Sequence, residues 1–159
     1  MSKTIENMPA LDDLLPDLPG TYVLVLHSTI QSSLAVGRRL TLTIEPGYYL
    51  YVGSAFGPGG LRARISRHCR LAKSKHWHID YLREHTTPMS IWYDQSKQRL
   101  EHHWARRLQT LSEMTPVEEF GCSDCDCSAH LFLARRRPTA DALTTVTGRP
   151  VRVTDLPTG

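Results

Sequence analysis

The sequence predicts an α+β domain (α/β in the broad sense), with a small central antiparallel sheet flanked by helices and an extra hairpin inserted between its first two long strands. Three observations predict it. Residues 20–26 and 48–52 are β-branched and aromatic runs bounded by turn residues, so they read as strands. Between them, residues 33–36 and 39–44 flank Gly37 and read as a hairpin. After the break Gly57-Pro58-Gly59-Gly60 the pattern changes to helical spacing, at Leu61, Ile65, His68 and Ala72 and again at Leu100, Trp104, Leu108 and Leu111.

The remaining elements follow in order. Residues 1–18 carry Pro9 and Pro16 around an Asp/Leu stretch and read as an N-terminal arm with a short helical turn. Residues 19–134 form the domain proper, with a second short helix over 76–85, a strand over 89–93 and an apolar run over 130–134. Residues 135–159 are polar with three prolines and are expected as a C-terminal tail. Trp92 and Trp104 belong to the core, and Tyr48 and Tyr49 read as packing residues.

The 159 residues, 40% of them hydrophobic, suffice for one domain with a modest core. No apolar run approaches the ~18 residues of a membrane span, and no leader pattern opens the chain, so a soluble cytoplasmic protein is expected. Four cysteines, Cys69, Cys122, Cys125 and Cys127, are too unevenly placed for a disulfide framework. Cys122, Cys125, Cys127 and His130 have zinc-ligand chemistry; the competing and preferred reading is an ordered turn with inert thiols, because Cys-x-Cys is tight for a zinc knuckle.

The net charge of +3, from 19 Lys and Arg against 16 Asp and Glu, is too small to establish a nucleic-acid partner. Its distribution says more. Arg62, Arg64, Arg67, Arg70, Lys73 and Lys75 crowd one segment without an intervening acid, which makes a phosphate-seeking face. Strand alternation puts Tyr22 with Leu24 and Leu26, and Tyr49 with Tyr51 and Gly53, so Tyr22 and Tyr51 converge if their strands pair. Glu101 falls at the border of an apolar helix stripe, where a carboxylate can point into a cleft. Singly, strand tyrosines are packing residues and helix charges are solvated. Taken in order, two phenols, a guanidinium and a carboxylate are the parts for cutting a phosphodiester around one divalent ion.

The strings Gly20-Thr21-Tyr22 and Tyr51-Val52-Gly53, followed by Leu61-Arg62-Ala63-Arg64 and Leu100-Glu101-His102, resemble the GIY-YIG nuclease family. The likeness is nearest its small stand-alone Uri-type branch, through residues 47–55, Arg67-His68, residues 76–81 and residues 123–130. It implies a GIY-YIG-like fold and a divalent-metal-dependent endonuclease acting on DNA, with duties such as DNA repair and a preference for single-stranded or branched structure among the readings it admits. It further implies that Glu101 is the sole protein ligand of one Mg²⁺ or Mn²⁺ and that Arg64 binds the scissile phosphate. Tyr22 or Tyr51 would orient or deprotonate the attacking water, and His68 would touch phosphate or assist proton transfer. Gly53, Ser54, Arg62, Arg67, Arg70, Lys73 and Lys75 are then the expected nucleic-acid contacts, with RNA as a further substrate class.

Three departures accompany the likeness. Thr21 replaces isoleucine, Ser54 stands where many members carry lysine, and 28 residues separate Tyr22 from Tyr51 where the family keeps them much closer. The inserted hairpin accounts for the spacing. Two other functions compete: a nucleic-acid-binding module of the same fold without catalysis, and a zinc-stabilised interaction protein organised by the Cys-rich loop.

Overall fold

A computed structural model describes residues 11–38, 40–71, 73–117, 129–148 and 151–157. In chain order the elements are α1 (Leu11–Leu14), β1 (Gly20–Ser28), β2 (Ser32–Val36), β3 (Leu40–Ile44), β4 (Gly47–Ala55), α2 (Gly60–Cys69), α3 (His78–Arg83), β5 (Thr87–Asp94), α4 (Glu101–Gln109), β6 (Thr115–Pro116), β7 (Leu131–Ala134), α5 (Ala140–Thr147) and β8 (Arg152–Asp155). Six strands form one antiparallel sheet in the order β6-β7-β4-β1-β5-β8, and β2 and β3 pair as a separate hairpin. The fold is therefore α+β, with the hairpin lying between the two tyrosine strands as expected.

Central strand β1 is buried along nearly its whole length because it is covered on both faces. Its alternate residues divide the core in two. Tyr22, Leu24 and Leu26 join Tyr49, Leu61, Ile65 and the hairpin residues Val36 and Ile44 on the α2–α3 side. Val23 and Val25 join Val52, Trp92, Trp104, Leu108 and Leu143 on the α4–α5 side. Among the described residues no helix is long and apolar enough to cross a membrane.

The N-terminal arm has a definite use. Helix α2 has no side-chain cap, and its first amides must find acceptors elsewhere. Leu61 N donates to Leu18 O at 2.9 Å and Arg62 N to Pro16 O at 3.0 Å, while Arg62 Nε donates to Leu15 O at 2.9 Å. Gly60, with φ near 59°, lets the arm carbonyls come this close, since a Cβ there would fall on Leu18.

Two boundaries differ from expectation. Helix α2 stops at Cys69, and Arg70 is extended with ψ near 137°, so the helical stripe does not continue toward position 72, which lies outside the described residues. The segment 135–159, expected as a tail, carries α5 and β8. Thr139 caps α5 by accepting from Ala142 N at 3.2 Å, Gly148 ends it in the left-handed region, and β8 pairs with β5 along Ser90–Tyr93. The polarity that suggested a tail is that of a largely exposed edge strand.

Asp80 ties α2, α3 and the segment between them together. It is buried, and takes both arms of the Arg67 guanidinium at 2.8 and 2.9 Å and the backbone amides of His76 and Trp77 at 2.8 and 3.0 Å. Lys73 Nζ stands 3.6 Å away and donates to the carbonyls of Arg67 and His68. Burial alone would raise the Asp80 pKa, but the guanidinium and two amides reverse this and hold it well below the usual carboxylate range. A carboxyl depressed on folding stabilises the native state above its unfolded value near 3.9, and that contribution disappears as pH falls toward the folded value. Asp80→Ala is expected to cost about 3 kcal/mol in urea unfolding at pH 7. The difference from the unchanged protein should shrink as the same measurement is repeated from pH 5 to pH 3.

Candidate functional site

The register of β1 on β4 places Tyr22 opposite Gly53 and Leu24 opposite Tyr51, so both tyrosines face α2. Gly53 is buried beneath the Tyr22 ring, and a Cβ there would fall on the phenol oxygen. Its role is steric. It seats Tyr22 and is buried, where the sequence reading expects a nucleic-acid contact.

Tyr22 is 1% exposed and its hydroxyl lies 2.6 Å from His68 Nε2, one turn beyond Arg64 on α2. Burial, joined by repulsion from Tyr51, pushes the Tyr22 phenol well above its ordinary value. Burial next to Lys73 and Arg64 pulls His68 down to about 3. Two neutral groups therefore share one short hydrogen bond at neutral pH. Tyr51 differs: it is half-buried and sets its ring edge-on to His68, with centroids 5.8 Å apart. Of the two phenols, Tyr51 is the one that solvent reaches.

The basic segment divides sharply. Arg67 and Lys73, expected on a phosphate track, are engaged by Asp80, and Arg62 is engaged by the arm. Lys75 pairs with Glu84 at 2.9 Å on the surface. Arg70 is exposed. Arg64 has no carboxylate partner among the described residues; its guanidinium lies 4.5 Å from the centroid of Trp77, whose ring also carries Arg67 at 4.2 Å. It lines an open hollow of about 210 Å³ together with Gly57, Pro58, Ala63 and Trp77. An anion entering there meets a guanidinium braced on an indole.

Glu101 occupies the first position of α4, on the other face of the sheet. Ser54, whose side chain alternates away from Gly53, donates to Glu101 Oε2 at 3.0 Å, and His130 Nδ1 faces Oε1 at 3.1 Å in ion-pair geometry. Ser54, half-buried, thus anchors the carboxylate. Burial would raise the Glu101 pKa, but His130, Ser54 and His102 outweigh it, so the group is held below its ordinary value and is ionised at neutral pH. Its side chain is 24% exposed.

The expected residues therefore gather in two groups at the C-terminal end of β4, Tyr22, Tyr51, His68 and Arg64 on one face and Glu101, Ser54 and His130 on the other. Glu101 does not line the Arg64 hollow, yet it is within electrostatic reach of the Tyr22 phenol. Strand β7 stops pairing at Tyr51, and the last bond on that side runs from Val52 N to His130 O. In the sequence His130 stands as a zinc candidate, as the end of the string 123–130 and as the start of an apolar run, with nothing that links it to Glu101. Its seat beside Glu101 depends on the β4–β7 register, which no local pattern announces.

A single ionised, partly exposed carboxylate with an anchored orientation suits a hard divalent cation that keeps most of its waters. Among the described residues no group of three or more His, Cys, Asp or Glu side chains gathers to hold a metal. Cys122, Cys125 and Cys127 lie outside the described residues.

A family model described as a domain of unknown function, DUF123, matches residues 21–150. The chain belongs to the DUF123 family. No curated protein and no solved structure matches it. The DUF123 match takes in every candidate residue from Tyr22 to His130 and leaves out the arm that supports α2.

Gly53→Ala, inside the DUF123 region, should destabilise the protein by about 2 kcal/mol through overpacking against Tyr22. A thermal melt followed by circular dichroism checks this, and an unchanged melting temperature would mean that the Tyr22 ring does not need the glycine.

Proposed function

We propose that this protein is a divalent-metal-dependent endonuclease that hydrolyses phosphodiester bonds in DNA. The observation that carries the reading is Arg64. It stands in a segment whose other cations are engaged or lie at the surface, it is braced on Trp77, and it borders an open hollow, on the helix whose His68 meets the half-buried Tyr51. The likeness of the tyrosine and arginine strings to GIY-YIG nucleases supports the same assignment.

In this mechanism Arg64 binds the non-bridging oxygens of the scissile phosphate through its planar fork. Tyr51, once its own proton has passed to solvent, contacts the attacking water as the phenolate and accepts its proton. Tyr22 is unsuited to that task, because burial holds its proton on and its hydroxyl is taken by His68. His68 is a positioning residue that fixes Tyr22 and gives Tyr51 a ring to lean on. Glu101, oriented by Ser54 and His130, would hold one Mg²⁺ or Mn²⁺. When bound, the ion supplies positive charge to the phosphate and the departing 3′-oxygen. The basic residues left at the surface, Arg70 above all, extend the contact along the strand.

The test uses labelled duplex, single-stranded and flapped oligonucleotides of DNA and RNA with Mg²⁺ or Mn²⁺. Cutting should fall by about 10²-fold or more in Arg64→Ala and Tyr51→Phe, and be lost in Glu101→Ala. Salt-sensitive binding that needs no metal, with no cutting of any substrate, would replace the enzyme by a binding module of the same fold. Cutting that survives all three substitutions would overturn the assignment of roles.

A further inference from the structure

A cavity of about 600 Å³ opens at the end of the sheet away from Glu101, between the β6–β7 ribbon and the start of α5. Glu45, on its rim, precedes β4, whereas Ser54 and Glu101 stand at the far end of that nine-residue strand. At ~3.3 Å per residue the strand puts roughly 25 Å between the two places. The volume is that of a small-molecule site.

Its lining has three chemical parts. Met114, Leu133 and Ala142 give an apolar floor. Arg135 and Arg136 are exposed on the rim, and neither has a carboxylate partner among the described residues, whereas Arg137 is held by Asp155 at 3.2 Å. Glu45 and Glu113 face the same space. A bare polyanion would be repelled by the two carboxylates, and a hydrocarbon would leave both guanidiniums unmatched. A fatty acid would satisfy the arginines but offer no donors to the glutamates. An occupant that answers all three parts carries an anion, an apolar face and N–H or O–H donors, as a nucleotide does.

We propose that this cavity binds a nucleotide, with its phosphate on Arg135 and Arg136, its ring on Met114, Leu133 and Ala142, and its amino or sugar hydroxyl groups on Glu45 and Glu113. The chemistry is shared by a free mononucleotide and by an unstacked nucleotide of a longer strand. The site is independent of Glu101, and its occupancy needs no divalent metal and no hydrolysis.

The experiment measures binding to the full chain in excess chelator, by calorimetry for 5′-AMP, adenosine and inorganic phosphate, and by fluorescence anisotropy for a labelled single-stranded oligonucleotide. Two variants are compared with the unchanged protein: Arg135→Ala with Arg136→Ala, which removes the charges, and Ala142→Trp, which fills the floor. Saturable 5′-AMP binding, weakened about tenfold or more in both variants, with adenosine and phosphate each binding about tenfold more weakly, identifies a free nucleotide as ligand. If 5′-AMP does not saturate but oligonucleotide affinity falls about tenfold in both variants, the nucleotide belongs to a strand. The proposal is overturned if neither probe binds, if both variants bind as the unchanged protein does, or if only the arginine variant loses affinity. The last result would reduce the cavity to a surface charge effect. Matching melting temperatures of the three proteins exclude unfolding as the cause of a loss.

Discussion

The pairing of β1 with β4 sets Tyr22 opposite Gly53, and the missing side chain at Gly53 lets a large phenol lie over the neighbouring strand inside the core. From that register the rest follows. Tyr51, two residues earlier on β4, shares the α2 face, and Ser54, one residue later than Gly53, turns to the α4 face and meets Glu101. A slip of one residue would exchange every one of these side chains between faces. The hairpin of β2 and β3 lengthens the connection without disturbing the register, because it pairs only with itself and packs its apolar residues on the same core.

Burial separates the titratable groups into two kinds. Tyr22 and His68 are enclosed so fully that desolvation dominates, and both are kept neutral. Asp80 and Glu101 also lose water, but each is given enough donors to remain charged. For Asp80 the donors are a guanidinium fork and two amides, all of them part of the scaffold. For Glu101 they are one donating hydroxyl and an imidazole at ion-pair distance, and part of the carboxylate still meets solvent. That difference in exposure marks Asp80 as a structural charge and Glu101 as an available one.

Much of the fold was legible in the sequence because its signals are local. Strand composition, the Gly57–Gly60 break and the periodicity after Leu61 each describe their own segment, and β1, β4, α2 and α4 lie where those signals put them. Strand β8 was missed because an exposed, polar edge strand carries no alternation to read, and helix α5 because its short segment lies among the polar residues and prolines that read as a tail. The site was legible in its residue types and less so in its allocation. That Arg67 and Lys73 serve Asp80 while Arg64 does not depends on which way Arg64 and Arg67 point from one helix and on where residues 73–77 meet it. Charge counting along the chain treats the three alike. Likewise, nothing near Tyr22 distinguishes it from Tyr51; enclosure by α2 does.

The indole of Trp77 lies within 4.5 Å of two guanidiniums, one of which is clamped by a carboxylate that also grips the Trp77 amide. Arg64 is in this way the free end of a rigid stack whose other layers are locked to the backbone. A long, flexible side chain ordinarily surrenders rotamer entropy when it closes on a ligand. Here part of that ordering is supplied by the indole beforehand, so a contact of ordinary strength at Arg64 would leave more net affinity than the same contact made by a cation on a loose tether.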